Sequence, residues 1–359
     1  MSTIYIFNPQ HDMSLANKDE NFVSPAVLRT LAKTKGWYMT SIAKRGDYIY
    51  CEDINPNNIP TVIQEYCSNN NIQVIHILKD IPILIEKGLI TNIDVWGWDW
   101  AIRKLLINTG ISKSMLPTDA YLERLHYLSS RERTIEAINW INNSEIQNRS
   151  KNFKLLTPTK ITSLTEAHNF AEKYRNVVFK SPWSGSGRGL RWCRKDFSHS
   201  DTGWCQNILK KHGFFMAEKR YSILQDFAME FISENRNINN KNIDNGNAED
   251  GDVKFLAYSI FNTNGGAYLQ NLDISEKEKV ELLSHYMPTD ELNQVKEKLR
   301  KFLKQLIYSD SQSYTGIISI DMFFHKSGFY PICEINFRQT MGNFSNRFYE
   351  IGIMNFQKL

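Results

Sequence analysis

Short apolar runs alternate with amphipathic segments along the first part of the chain. Residues 3–7, 48–51 and 72–77 are rich in β-branched and aromatic side chains, which predicts strands. The segments 60–67 and 80–88 have apolar residues at helical spacing. Because an alternation of strands and helices is typical of a parallel sheet with helices on both faces, this part of the chain predicts a small doubly wound α/β domain.

Polar residues follow the first predicted strand directly. Asn8, His11 and Asp12 stand in a loop at its carboxyl end, where ligands gather in open α/β sheets. These three residues are therefore candidates for substrate binding, and a structural or surface position is the alternative for His11. A tryptophan-rich run at 96–100 either packs a domain seam or lines a ligand cleft.

The second half of the chain predicts a different arrangement. Strand signals occur at 176–180 and 190–193, and two longer ones close the pattern at 316–324 and 330–336. Helical segments lie between these pairs. The fold class is therefore α/β with an α+β part.

Changes in this pattern divide the chain into two domains. The first covers residues 1–125 and the second covers 126–359, with a subdomain at about 154–222. Residues 235–252 are rich in Asn, Asp and Gly and nearly free of large apolar side chains. They predict a polar loop, whose function stays open.

A glycine-rich segment follows one of the predicted strands. Val177–Phe179 predicts a buried strand, and Ser184–Gly189 then carries a glycine at every second position. Glycine permits positive φ and lets a ligand approach the backbone closely. Successive N–H groups can then surround an anion, while Lys180 and Arg188 add full positive charge. The segment is either a loop that binds a polyphosphate or a plain hairpin turn.

Carboxylates occur on the last two predicted strands. Asp321 lies on the first, and the second carries Glu334, Asn336 and Arg338 at alternate positions, which places these three on one face. An antiparallel pairing brings Asp321 beside them. Two carboxylates and a carboxamide oxygen suit Mg²⁺ bound through phosphate, and Arg338 would neutralise a transferring phosphoryl group. The alternative is a salt bridge on a half-exposed sheet, which the strongly apolar strands disfavour.

Composition excludes several classes of protein. The 359 residues carry a net charge of +4 without a dense basic stripe, which is not typical of a nucleic-acid-binding protein. The five cysteines form no CxxC pair and no zinc spacing, which indicates reduced thiols in a cytoplasm. No apolar run is long enough to span a bilayer, and no signal peptide is expected at the N-terminus. We therefore expect a cytoplasmic protein.

The order of these features resembles the ATP-grasp superfamily of carboxylate–amine ligases over about residues 131–347. A Walker P-loop is excluded, because no GxxxxGK[ST] occurs. The chain also looks like an uncharacterised bacterial group within the superfamily, on the phrases Phe7–Asp12, Trp96–Asp99, Glu334–Arg338 and Thr340–Gly342. The resemblance implies an ATP-grasp fold over the second domain, with the lid subdomain at 154–222, preceded by the small doubly wound domain.

The resemblance also implies the ligands, ATP and Mg²⁺ (or Mn²⁺), and a function for each candidate residue. Lys180 would hold the α- and β-phosphates, and Arg338 would contact phosphate or the reacting acyl group, so both are the candidate catalytic residues. Arg131 stands where many members have a phosphate-binding lysine. Glu218 and Lys219 would meet adenine through backbone atoms, Asp226 or Glu230 would bind the ribose, and Asp321, Glu334 and Asn336 match the metal ligands. The phosphate loop comprises Ser184, Gly185, Ser186, Gly187, Arg188 and Gly189.

The expected activity is an ADP-forming ligation through an acyl phosphate. A carboxylate attacks the γ-phosphorus of ATP, and an amine then displaces phosphate, so the partners are small-molecule or peptide carboxylates and amines. A small-molecule kinase of the same fold and a non-catalytic nucleotide-binding regulatory protein are the alternatives. A homodimer is one expected assembly, since dimers are the commonest soluble oligomers.

Overall fold

A computed structural model describes residues 2–53, 55, 58–143, 157–185, 189–194, 196–235 and 251–359. The chain divides into two compact units, Met1–His126 with Arg338–Leu359, and Tyr127–Phe337. The predicted boundary at 125 lies beside the first of these divisions. However, residues 338–359 cluster with the first unit, whereas the sequence prediction assigns them to the second domain, so the predicted division stays a proposal.

The first unit contains a four-stranded parallel sheet of order β3-β2-β1-β4. Ile4 and Ile6 of the first strand contribute to one apolar cluster, and Tyr5 and Phe7 contribute to another. Because successive side chains of a strand point to opposite faces, both faces are covered, as in a doubly wound domain. The strands are β1 (Thr3–Ile6), β2 (Tyr48–Tyr50), β3 (Gln73–Ile75) and β4 (Asn92–Val95), and the helices are α1 (His11–Asn17), α2 (Ala26–Thr34), α3 (Thr61–Asn69), α4 (Asp80–Glu86), α5 (Trp100–Asn108) and α6 (Asp119–Leu128), whose last two residues pass the unit boundary.

The C-terminal segment completes the core of this unit. Helix α12 (Met341–Glu350) begins at the N-cap Thr340, whose hydroxyl accepts a hydrogen bond from the backbone N–H of Asn343. Phe344 and Phe348 of α12 are fully buried in the same cluster as Tyr5 and Phe7. The first unit therefore depends on residues from both ends of the chain.

The second unit contains two antiparallel sheets. Their orders are β5-β8-β6-β7 and β11-β10-β9-β12-β13. Together with the parallel sheet of the first unit, they confirm the mixed α/β fold class. The strands are β5 (Thr159–Ile161), β6 (Asn176–Lys180), β7 (Leu190–Arg194), β8 (Phe215–Lys219), β9 (Ile223–Asn235), β10 (Gly251–Asn264), β11 (Ala267–Asn271), β12 (Gly316–His325) and β13 (Gly328–Asn336), and the helices are α7 (Arg133–Asn143), α8 (Leu164–Tyr174), α9 (His199–His212), α10 (Glu276–Ser284) and α11 (Thr289–Tyr308).

The smaller of these sheets falls inside the predicted lid subdomain. Its apolar side chains form a cluster with α8 and α9 that includes Phe179 and Phe215. Within 154–222, residues 154–156, 186–188 and 195 lie outside the described part of the chain, as do 236–250 of the predicted polar loop. No described helix is both long and apolar enough to cross a membrane.

The larger sheet has one apolar and one polar face. Phe227, Met229 and Phe231 of β9 are fully buried, and Phe227 stacks on Phe324 of β12 with ring centroids 5.0 Å apart. The alternate residues of β9, Asp226 and Glu230, therefore lie on the opposite face. The apolar face anchors the sheet, and the opposite face carries the candidate polar residues.

Stability of the second unit is expected to fall as pH falls from about 6.5 to about 4. Burial, and then the charge of Lys211, lower the pKa of His212 from 6.5 to about 4. In this window the unfolded chain binds the proton and the folded chain does not, so acid favours unfolding. After a discount for the half-buried ring we expect about 1–2 kcal/mol. In denaturant titrations, His212→Asn should flatten this pH dependence, and the exposed His199→Asn should not.

Candidate functional site

The glycine-rich loop connects two paired strands. Lys180 ends β6 and pairs with Leu190 of β7, and the N–H of Ser181 donates to the carbonyl of Gly189 at 2.8 Å. Gly189 has a φ of +77°, and a Cβ there would lie 2.8 Å from the Cβ of Ser184. Both the backbone angle and the space require glycine at this position. The segment thus lies between two paired antiparallel strands, which is compatible both with a loop that binds a polyphosphate and with a plain hairpin turn.

Ser186, Gly187 and Arg188 of the predicted phosphate loop lie outside the described residues. Gly185 is described and buried. The base of the loop, from Ser181 to Gly185, can therefore be related to the rest of the unit.

Arg131 connects this loop to the larger sheet. Its Nη1 donates to the carbonyl of Ser181 and to Oγ of Ser184, both at 2.6 Å. Its Nη2 donates to the carbonyl of Ser184 at 3.1 Å and to Oε1 of Glu334 at 2.7 Å. The side chain is only 4% exposed. Burial alone would lower the pKa of Arg131, but Glu334, Cys333 and Glu218 together raise it.

Lys180 forms a second buried ion pair. Its Nζ lies 2.7 Å from Oε2 of Glu218, and the two side chains are 5% and 6% exposed. The same nitrogen donates to Sγ of Cys333 at 3.3 Å. Burial would lower the pKa of Lys180, but Cys333 and Glu218 raise it, so the ammonium form is stabilised. Lys219 follows Glu218 at the exposed end of β8.

The predicted metal ligands lie together on the polar face of the larger sheet. Asp321 of β12 pairs directly with Glu334 of β13, as the antiparallel prediction requires. Nδ2 of Asn336 donates to Oδ2 of Asp321 at 3.2 Å. Among the described residues no group of three His, Cys, Asp or Glu side chains forms a metal site. Two carboxylates with one amide oxygen nevertheless fit the hard-oxygen chemistry of Mg²⁺.

The two candidate ribose ligands lie in different cross-strand rows of this face. Glu230 pairs with Ser319, which also pairs with Asn336, so Glu230 shares its row with one metal candidate, next to the row of Asp321 and Glu334. Asp226 pairs with Phe323, and it accepts a hydrogen bond from the hydroxyl of Thr263 at 2.7 Å. Burial raises the pKa of Asp226. The rows therefore separate two residues that the sequence leaves equivalent.

An aromatic pair lies in the same row as Asp226. The rings of Phe323 and Tyr330 are parallel, with centroids 4.8 Å apart, and Tyr221 packs against Tyr330 at 5.5 Å. Sequence reasoning missed these three rings, together with Cys333 and the side chain of Glu218. The sequence did contain a signal for the two strand residues, because period-two alternation places Phe323 and Tyr330 on the same face as the carboxylates.

Arg338 does not continue the face of Glu334 and Asn336. Strand β13 ends at Asn336, so the alternation on which that prediction depends stops before Arg338. Its Nε and Nη2 instead donate to the two carboxylate oxygens of Asp12, at 2.7 and 2.9 Å. Both residues belong to the first unit. The prediction of one face for all three residues is therefore wrong for Arg338.

The carboxyl ends of β1 and β4 are joined through Asn8. Its side chain donates to the carbonyl of Gly97 at 2.7 Å and accepts from the N–H of Gly97 at 3.2 Å. Asp99 accepts from Asn8 at 3.1 Å and caps α5 by accepting from the N–H of Ile102 at 2.9 Å. The tryptophan-rich segment is thus held by polar contacts within the first unit.

His11 and Asp12 begin helix α1, whereas the sequence predicts a loop there. Asn8 and His11 are each 1% exposed, and His11 lies 3.6 Å from Oδ2 of Asp99. Substrate binding by these residues stays a prediction, but such burial favours a structural function for Asn8 and His11. Asp12 is 23% exposed and remains accessible.

Gly97→Ala is expected to destabilise the first unit by about 1–3 kcal/mol, the usual effect of overpacking. A Cβ at this position would lie 2.5 Å from Cγ of His11. In thermal unfolding, we expect Gly97→Ala to lower stability at most half as much in the His11→Ala background as in the wild type, because the clashing ring is then absent. Gly203→Ala on α9, where nothing lies within 4 Å, is the control. Equal losses in both backgrounds would contradict the proposed clash.

No family model and no curated protein sequence matches the chain. It is similar to N5-carboxyaminoimidazole synthetase from Staphylococcus aureus complexed with ADP, with 12% identity and a TM-score of 0.46 over 99% of this chain and 78% of the other. It is also similar to the biotin carboxylase domain of 2-oxoglutarate carboxylase from Hydrogenobacter thermophilus in complex with MgADP, ADP and bicarbonate, with 11% identity and a TM-score of 0.49 over 97% and 69%.

A third similar structure is N5-carboxyaminoimidazole ribonucleotide synthetase from Thermotoga maritima, with 15% identity and a TM-score of 0.40 over 99% and 76%. The resemblance to the ATP-grasp superfamily stays a prediction, which rests on the residues of this chain. With identities of at most 15% and TM-scores of at most 0.49, these likenesses carry no argument about the family or the activity of this chain.

Proposed function

We propose that the protein is an ATP-dependent, ADP-forming ligase that joins a carboxylate to an amine. The observation that carries the proposal is the pairing of Arg131 with both the glycine-rich loop and Glu334. One buried guanidinium thereby places a loop suited to phosphate next to a set of oxygen ligands suited to Mg²⁺. A plain hairpin turn has no need for such a contact.

The nucleotide would lie along the polar face of the larger sheet. Lys180 would bind the α- and β-phosphates, and Ser184–Gly189 would cover the β/γ end. The backbone of Glu218 and Lys219 would meet adenine. We assign the ribose to Asp226, because its row holds Phe323 and Tyr330 rather than the metal candidates.

Asp321, Glu334 and Asn336 would hold Mg²⁺ (or Mn²⁺). The cation would neutralise charge on the phosphates during transfer. The side chains themselves would fix its position, since Asp321 and Glu334 are paired across two strands and Asn336 is hydrogen-bonded to Asp321.

The reaction would proceed in two balanced steps. A carboxylate oxygen of the substrate forms a bond to the γ-phosphorus as the bond to ADP breaks. The nitrogen of an amine then attacks the acyl carbon, loses a proton, and releases phosphate. The protein mainly positions the reactants and neutralises charge.

Arg338 and Asp12 of the first unit are the proposed substrate contacts, and a substrate carboxylate would replace Asp12 as the partner of Arg338.

A substrate screen tests this proposal. The full chain, incubated with ATP, Mg²⁺ and pools of amino acids or short peptides, should release ADP and phosphate in equal amounts only when a correct pool is present. Mass spectrometry should find a product lighter by one water than its two substrates. A phosphorylated product without free phosphate would support a kinase, and ADP binding without turnover in every pool would support a regulatory protein. A homodimer also stays a proposal, which light scattering tests.

A further inference from the structure

Arg131 and the proposed metal site compete for the same carboxylate. Glu334 is a proposed ligand of the divalent cation, and its Oε1 is already bound to Nη2 of Arg131 at 2.7 Å. A positive guanidinium at that distance repels a cation that approaches the same carboxylate. Since Arg131 is buried and Glu334 is only 19% exposed, water screens this repulsion less than it would at the surface.

The other donors of Arg131 bind the glycine-rich loop. Nη1 has two acceptors there and Nη2 has a third, all on Ser181 and Ser184. A guanidinium has five donors in a planar fork, so it can bind two elements at once, whereas a lysine ammonium acts as a single point. The arginine at this position therefore links the position of the loop to the availability of the Glu334 carboxylate.

We propose that Arg131 blocks the metal site until a polyphosphate arrives. This inference rests on the proposed function, because it takes the guest of the loop to be a nucleoside di- or triphosphate. Phosphate oxygens are strong bidentate acceptors for a guanidinium, so they draw the donors of Arg131 away from Glu334. Glu334 then becomes available to the cation. Metal and nucleotide bind together, and each strengthens the binding of the other by the same factor.

Mn²⁺ binding to the nucleotide-free full chain tests this inference, with free Mn²⁺ measured by electron paramagnetic resonance. We expect Arg131→Gln to bind Mn²⁺ at least tenfold more tightly than the wild type when no nucleotide is present. The double variant Arg131→Gln/Glu334→Gln should lose that gain. Arg133→Gln removes the same charge two residues away, from a side chain that pairs with Glu132 and Glu136, and should leave Mn²⁺ binding unchanged.

Two further measurements keep the outcome unambiguous. Arg131→Lys retains the charge and should show a smaller gain, which guards against loss of folding in the glutamine variant. Hydrogen exchange should become faster in the peptide containing Ser181–Gly185 when Arg131 is replaced by glutamine, because the loop loses three hydrogen bonds.

Different experimental outcomes would contradict this inference and the proposed function. If the wild type binds ADP and Arg131→Gln binds Mn²⁺ no more tightly than the wild type, Arg131 does not block the site. An equal gain in Arg133→Gln would mean that only overall charge matters, and it also overturns the inference. If calorimetry detects no binding of ADP or ATP to the wild type, the proposed function itself fails.

Discussion

A Lys180→Met variant is expected to release ADP at least about 10²–10³-fold more slowly than the wild type. Lys180 is the buried ammonium at the end of β6, and in the proposed function its charge binds the α- and β-phosphates of ATP. Removing one such electrostatic contact from a dry site typically has an effect of this size. The measurement is steady-state ADP release with the substrate pool found in the screen.

The same substitution should also lower stability, and the two effects can be separated. Without Lys180, Glu218 is left buried with no cation at 2.7 Å, and breaking a buried pair on one side costs about 3–5 kcal/mol. The double variant Lys180→Met/Glu218→Gln removes both charges. We expect it to recover most of the stability and none of the activity.

That pattern distinguishes a catalytic function from a structural one. If Lys180 only stabilises the fold, activity should return along with stability in the double variant. Full turnover in a folded Lys180→Met protein would contradict the proposal that Lys180 binds the phosphates.

Local sequence patterns predict the strands around the candidate site well. Asn176–Lys180 has the predicted bounds, and period-two alternation places Asp321 and Glu334 on one face, although their direct pairing arises from a register shift between Asp321 and Phe323. These features depend on residues close together in the chain. The sequence does not predict the strand Asn92–Val95, because Asn92 and Asp94 interrupt its apolar pattern. Asp94 is nevertheless buried in the folded unit, and this burial raises its pKa to about 6.

Contacts between distant residues are not predictable in the same way. Nothing local in the sequence assigns Phe344 and Phe348 to the core of the first unit. Likewise, Arg131 is recognisable as a candidate cation, whereas its contact with Glu334, 203 residues away, is a property of the folded unit. The sequence therefore identifies the charged groups, and the fold determines which of them form ion pairs.

The two carboxylates Asp321 and Asp226 should respond differently to loss of charge. Asp321→Asn is expected to lower kcat by about 10²–10³-fold and to raise the Mg²⁺ concentration needed for half-maximal rate, because it removes a charged ligand from the proposed metal site. The KM for ATP should change little. Asp321 pairs directly with Glu334, whereas Asp226 lies one row away beside Phe323.

Asp226→Asn is the matched variant, since it removes the same charge from the same face of the sheet. If Asp226 binds the ribose hydroxyls, this variant should raise the KM for ATP by about tenfold, as loss of a hydrogen bond to a charged group does, while kcat and the Mg²⁺ requirement stay near those of the wild type. The wild type should prefer ATP over 2′-deoxy-ATP, and Asp226→Asn should lose that preference. Loss of the preference in Glu230→Gln instead would reverse the assignment of the two rows.

An unchanged Mg²⁺ requirement in Asp321→Asn would remove Asp321 from the metal site, because neutralising a direct ligand cannot leave cation affinity unaltered.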